Sequence, residues 1–189
     1  MSQTVAIFGG SFNPPHVGHL MVAVYLRAVA QVDQVLVVPC FIHPFAKHLA
    51  SFEDRLDMCR AAFAWIPGVT VSDVERELGG ESRTLRTVQT LAARHPDWAL
   101  RLVVGSDIIP ETPRWYGFDE IRAVAPLLVL DRPQPDRPGP SGALFPNVSS
   151  SAVREACARG DFDAVRDLLP ARVLEHIRAR GLFARSNDT

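Results

Sequence analysis

The segment Val5-Ala6-Ile7-Phe8-Gly9-Gly10-Ser11-Phe12-Asn13-Pro14-Pro15-His16-Val17-Gly18-His19-Leu20 constrains this chain more than any other. An apolar run without alternation reads as a strand buried on both faces, here Thr4 to Phe8. It ends in paired glycines and a Pro-Pro turn. Helical periodicity follows from Val17 to Ala30, with Leu20, Val24 and Ala28 on one stripe. Gln34 to Val38 is a second apolar run, stopped by Pro39. Strand, helix and strand within about 35 residues make a βαβ unit with parallel strands and a right-handed crossover.

The rest of the chain continues the alternation. Cys40 to Ser51 reads as an irregular loop carrying His43, Pro44, Lys47 and His48. Ser51-Phe52-Glu53-Asp54 opens a helix whose apolar face is Phe52, Leu56, Cys59 and Phe63. Val69 to Val74 reads as a strand before a Gly79-Gly80 break, and Thr84 to His95 as a helix. Leu100 to Val104 is a strand ending at Gly105-Ser106-Asp107. Trp115-Tyr116-Gly117 precedes a helix from Phe118 to Ala123, and Leu127 to Leu130 is the next strand. Asp131 to Gly142, rich in proline and glycine, is a loop. Ser149-Ser150-Ser151 leads into a helix through Arg159, and Ala171 to Ala179 is a last helix between Pro170 and Gly181. These elements predict an α/β fold: a Rossmann-like, doubly wound parallel sheet with helices on both faces and a helical C-terminal segment. Ligand is expected at the carboxyl ends of the strands. The expected organisation is one domain over 1–189, with an α/β core to residue 131 and a C-terminal part from 143.

Composition narrows the function classes. With 189 residues and 47% hydrophobic residues the chain can build an ordinary core. A formal charge of −1 argues against sequence-independent nucleic-acid binding, which needs a basic surface, but not against a small anion held locally. Cys40, Cys59 and Cys157 show no metal-type spacing and read as reduced thiols. No run approaches membrane-spanning length and no signal segment precedes Val5, so the expectation is a soluble cytoplasmic protein without membrane partners.

The opening segment suits phosphate binding. Gly9 and Gly10 let backbone N–H groups approach an anion, and the following helix offers it an amino-terminal end. His16 and His19, three apart, face the same side of a helix start. Two imidazoles there can donate to phosphate oxygens and stabilise charge in a transition state, and Gly18 removes a side chain that would block the approach. Three further features bear on a ligand. Ser149, Ser150 and Ser151 with Arg154 one turn on make a second phosphate site or a helix cap. Trp115 is a stacking plane or a core cover. Asp107 is a strand-end ligand contact or a cap for the next helix. No Gly-Lys-Ser/Thr loop and no Gly-x-Gly-x-x-Gly fingerprint occurs. A zincin pair is excluded because it needs histidines four apart with a glutamate between.

The run Gly9 to His19 resembles the signature of nucleotidyltransferases carrying His-x-Gly-His, and most closely bacterial nicotinate mononucleotide adenylyltransferases. Further resemblances extend across nearly the whole chain. Ser82 and Thr84 are similar to that family's Ser-Tyr-Thr, Gly105-Ser106-Asp107 to its Gly-x-Asp, and Trp115-Tyr116 to its Trp-Tyr pair. Arg132-Pro133 is similar to its Arg-Pro, and Ser149 through Arg154 to its Ser-Ser-Thr-x-Ile-Arg. The resemblance implies transfer of AMP from ATP to a pyridine mononucleotide, nicotinate mononucleotide first, giving nicotinate adenine dinucleotide and pyrophosphate. ATP would be bound by Gly9, Gly10, Ser11, Phe12, His16, Gly18, His19, Gly105, Asp107, Arg132, Ser149, Ser150 and Arg154. Catalysis would fall to His16 and His19. The acceptor would meet Ser11, Phe12, Lys47, Ser82, Thr84, Trp115 and Tyr116, with His43 a further candidate. Mg is expected mainly through ATP phosphates, with no protein metal site. Self-association is left open.

Three departures from the family bear on the acceptor. Asn13 stands where the family has Asp, and the loop Ile42 to Lys47 lacks its Pro-Pro-His-Lys. Arg83 and Arg86 add positive charge beside Thr84, either for a more anionic acceptor or as solvated side chains. The alternatives kept are therefore nicotinamide mononucleotide or another phosphorylated small molecule as acceptor, and a nucleotide-binding module without catalysis.

Overall fold

A computed structural model describes residues 2–43, 49–131, 146 and 148–184. In chain order the elements are β1 (Gln3–Gly10), α1 (Val17–Ala28), β2 (Gln34–Pro39), α2 (Phe52–Phe63), β3 (Val69–Val71) and α3 (Val74–Leu78). There follow α4 (Thr84–Arg94), β4 (Trp98–Gly105), a 3-10 turn over Ile109–Arg114, α5 (Phe118–Val124), β5 (Leu127–Leu130), α6 (Ser150–Ala158) and α7 (Ala171–Arg180). All pairings are parallel, in the order β3-β2-β1-β4-β5. The doubly wound expectation is met. The chain winds outward from β1 to β3 and then returns to lay β4 on the other side of β1. That reversal opens a crevice at the carboxyl ends of β1 and β4, where open α/β sheets bind ligands.

The sheet strands show why their sequences do not alternate. Val5 and Ile7 face one apolar layer, with Leu36 and Val38 and with Leu100, Leu102 and Val104. Ala6, Val35, Val37 and Val103 face the other. Side chains still alternate between faces, but both faces are covered, so the strand interiors are apolar nearly throughout, Arg101 of β4 being an exception. The first layer is closed by α3, α4 and α5 through Val74, Val88, Leu91 and Ile121. The second is closed by α1, α2, α6 and α7 through Leu26, Phe63, Val153 and Ile177.

Several boundaries differ from expectation. Gly9 and Gly10 are the last strand residues rather than a break after it, paired with Val38 and Pro39. Helix α1 stops at Ala28, and Gln31 then turns with φ 54°. The strand expected through Val74 ends at Val71. Val74 instead opens α3, because the Ser72 hydroxyl accepts its N–H and Asp73 O accepts from Arg76 and Glu77. The 3-10 turn was not foreseen, its two prolines reading as loop. The expected loop from Asp131 to Gly142 falls outside the described residues beyond Asp131, as does 44–48 within the loop from Cys40 to Ser51.

Candidate active site

The crevice between β1 and β4 is a cleft of about 600 Å³. Its floor is the strand ends: Gly9, Gly10 and Ser11 from β1, Gly105 and Asp107 from β4. Gly9 has open space where a Cβ would stand, so its backbone is bare toward the cleft. The turn into α1 passes through Phe12 at φ 46°, unfavourable for a residue with a side chain. That geometry swings the Phe12 ring into the core. There it meets Phe8 at 5.3 Å and Phe63 at 6.1 Å, edge to face, and His19 at 5.0 Å. Phe12 therefore offers a ligand only its backbone, and its ring supports His19 from behind.

His16 takes the N-cap position of α1 and His19 the third helical position. Their rings lie 3.9 Å apart, on the same side as the spacing predicts. Their depths differ: His19 lines the cleft, whereas His16 is only 2% exposed. The His16 backbone N–H donates to His19 Nδ1 at 3.2 Å. With Nδ1 accepting, the neutral His19 ring carries its proton on Nε2, which leaves that nitrogen a donor. Gly18 serves the histidines more directly than expected. A Cβ there would stand 3.1 Å from the His16 ring, so glycine keeps that ring in place.

Helix α6 joins this end of the cleft from far along the chain. Ser149 caps it by accepting the Ala152 N–H at 3.2 Å, so the capping reading of the serines is correct for that residue. Ser150 donates to Pro14 O at 2.9 Å, and Arg154 donates to Asn13 O at 2.8 Å and to the Ser151 hydroxyl at 3.1 Å. The Ser149–Arg154 segment is thus fastened onto the loop between β1 and α1. Asn13 is buried, and its Oδ1 accepts the Ala50 N–H at 3.0 Å.

The other end of the cleft is built from three segments. Ser82, Arg83 and Thr84 come from the entry to α4, Trp115 and Tyr116 from the end of the 3-10 turn, and Cys40 and His43 from the chain after β2. Trp115 sets its ring edge to face with Phe118 at 6.4 Å, and Tyr116 stands at the rim, 74% exposed. Gly117 can hold φ +67° there because it lacks a Cβ, which would meet Leu85 at 2.5 Å. Arg83 borders the cleft but pairs with Glu81 at 2.8 Å. Arg86 turns away and donates to Gly79 O at 2.8 Å and Leu78 O at 2.5 Å, closing the end of α3. Lys47 and Arg132 lie outside the described residues.

Sequence reasoning missed Glu75 and Arg55. Glu75 lines the cleft, accepting the Phe41 N–H at 3.1 Å and the Thr87 hydroxyl at 3.0 Å. It went unseen because Val74, which opens its helix, reads as the end of a strand and no element is expected over the four residues that follow. Arg55 was legible: it lies three after Phe52 and four before Cys59, a charge on the apolar stripe of α2. Beside it, burial pushes the Asp54 carboxyl up, but hydrogen bonds from Ser51, His176 and Arg180 outweigh this and hold it below its ordinary value. Burial pushes the Cys40 thiol up, against the pull of Arg55, so this cleft cysteine stays protonated and is no nucleophile.

No group of three or more His, Cys, Asp or Glu side chains among the described residues is placed to hold a metal. The carboxylates on the cleft wall are Glu75 and Asp107. No described helix is long and apolar enough to cross a membrane.

The cleft thus lies at the sheet's reversal point with a glycine floor, His19 at a helix start and the serine-arginine helix locked beside it. Residues 7–156 match the family model described as cytidylyltransferase-like. A probable nicotinate-nucleotide adenylyltransferase of Anaeromyxobacter dehalogenans (strain 2CP-1) is 44% identical over 184 residues, 96% of this chain and 97% of that protein. One of Myxococcus xanthus (strain DK1622) is 42% identical over 180 residues, 95% and 94%. The structure of Plasmodium falciparum nicotinic acid mononucleotide adenylyltransferase complexed with NaAD shares the fold, with TM-score 0.76 at 19% identity over 96% of this chain and 97% of that one. The chain belongs to the nicotinate-nucleotide adenylyltransferase family.

Proposed function

We propose that this enzyme transfers AMP from ATP to nicotinate mononucleotide, giving nicotinate adenine dinucleotide and pyrophosphate. The observation that carries the reading is one cleft with two unlike ends. One end offers glycine backbone and His19 for phosphates, and the other offers Ser82, Thr84 and the Trp115 ring for a pyridine. Family membership supports the same substrates, since the relatives bear that activity in their names.

An acceptor phosphate oxygen attacks the α-phosphorus of ATP in line. The new O–P bond forms as the bond from the α-phosphorus to the bridging oxygen breaks, and pyrophosphate leaves with that electron pair. Little covalent work falls to the protein, so rate comes from alignment and charge stabilisation. His19 donates from Nε2 to the reacting phosphates. His16, buried behind it, fixes the ring and its tautomer through the backbone N–H to Nδ1. Ser150 and Arg154, placed beside the signature loop, receive the β and γ phosphates. A magnesium ion would be held mainly by phosphate oxygens and water, and would neutralise the charge gathering on pyrophosphate. Glu75 and Asp107 are the described carboxylates on the cleft wall, and they would meet the ion only through its water shell. The three cysteines are free thiols, which suits the reducing cytoplasm where we place the enzyme.

Pyrophosphate release from ATP, measured side by side with nicotinate and nicotinamide mononucleotides, tests the reading. Faster turnover with nicotinate mononucleotide is expected. Turnover of nicotinamide mononucleotide alone overturns the acceptor, and ATP binding without pyrophosphate release from either overturns the chemistry.

A further inference from the structure

Arg55 is 1% exposed, and all of its described hydrogen bonds to oxygen go to backbone carbonyls. Its Nε donates to Ala50 O at 3.1 Å, one terminal nitrogen to Ser11 O at 3.0 Å and Cys40 O at 2.8 Å, and the other to Phe41 O at 3.2 Å. The Phe52 ring covers the guanidinium at 5.5 Å. These carbonyls do not belong to one loop. Ser11 is in the signature loop that floors the phosphate end. Cys40 and Phe41 begin the segment that borders the acceptor end, and Ala50 closes it. The same residues are held from their other sides: the Phe41 N–H by Ser82 at 2.8 Å and Glu75 at 3.1 Å, the Ala50 N–H by Asn13 at 3.0 Å.

A buried charge is costly unless its donors are used, and a planar fork with fixed N–H directions can serve several acceptors only in one arrangement. The three backbone segments can therefore satisfy Arg55 together in a single relative position. We propose that Arg55 is a positioning residue for the transfer reaction: it sets the register between the phosphate-binding loop and the acceptor-side segment, and hence the alignment of attacking oxygen and α-phosphorus. The proposal rests on the reaction argued above. It assigns Arg55 no contact with substrate.

Arg55→Lys is the direct test, because lysine keeps charge and stem but its single ammonium cannot span the carbonyls. A folded variant is expected to lose about 100-fold in kcat, the effect of a misplacement near 1 Å, while KM for ATP and for nicotinate mononucleotide stays within about threefold. Asp54→Asn is the comparator. It loosens the adjoining contact of α2 with His176 and Arg180, so it lowers Tm and leaves kcat within about twofold. Folded Arg55→Lys with near-normal kcat overturns the proposal. So does an equal fall in kcat for Asp54→Asn, which would make the effect one of stability. If Arg55→Lys does not fold, hydrogen exchange of the wild-type enzyme decides. Joint protection of the Phe41 and Ala50 amides that persists in Ser82→Ala, which removes one side-chain acceptor of the Phe41 amide, supports the clamp, and exchange of both at loop rates in the wild type overturns it. Wild-type failure to use nicotinate mononucleotide would count against the acceptor, and the exchange measurement would still judge the clamp.

Discussion

The two ends of the cleft are built in opposite ways. The phosphate end is nearly all one stretch, Gly9 to His19, and it acts through backbone and one ring. Residues from α6 also lock it, by bonds from Ser150 and Arg154 to carbonyls of Pro14 and Asn13. The acceptor end is gathered from residues near 40, 82 and 115, and it acts through side chains such as Ser82, Thr84 and Trp115. In the proposed reaction the first would cradle a charge pattern common to every nucleoside triphosphate, and the second would select one acceptor. Damage to the first should therefore appear in kcat, and damage to the second in KM for the acceptor.

His19→Ala should show the largest effect. It removes a donor aimed where phosphate charge develops, a loss of about 10² to 10³ in kcat, with a smaller change in KM for ATP. The ring packs on Phe12 and His16, so circular dichroism must show the variant folded. Steady-state pyrophosphate release by a folded variant within tenfold of wild type would break the division of labour between the two ends.

Trp115→Ala comes next and probes the other end. Loss of ring stacking costs about 1 kcal/mol beyond area, and with the lost contact area KM for the mononucleotide should rise by roughly tenfold. KM for ATP should hold. A fall in kcat with KM unchanged would instead make Trp115 part of the alignment machinery, joining it to the first end.

The same division explains what could be read in the sequence. Sheet strands buried on both faces announce themselves as apolar runs, so β1, β2, β4 and β5 were legible to within a few residues. The signature and the Ser149-Arg154 motif were legible because their spacing is local. What escaped depends on three-dimensional closure. Neither the depth difference between His16 and His19 nor the positive φ that turns the Phe12 ring into the core is revealed by any periodicity. Glu75 escaped because α3 is a five-residue helix, too short for a periodic signal. Arg86 reads as acceptor charge or a solvated side chain because the carbonyls it closes lie at the end of that same unforeseen helix.

Arg83 gives the smallest expected effect and sharpens the comparison most finely. It borders the acceptor end, and on charge alone it would draw a more anionic substrate. Its guanidinium already pairs with Glu81 at 2.8 Å, with both side chains more than half exposed. An exposed pair of this kind is worth about 0–1 kcal/mol and is screened by salt. Arg83→Ala should therefore leave kcat unchanged and move KM for nicotinate mononucleotide by no more than about twofold, with the same ratio at low and high ionic strength. Pyrophosphate-release kinetics at both salt concentrations make the measurement. A rise in KM of tenfold or more, fading with added salt, would mean that Arg83 leaves Glu81 for the acceptor. The acceptor end would then be selecting its substrate by charge as well as by ring stacking.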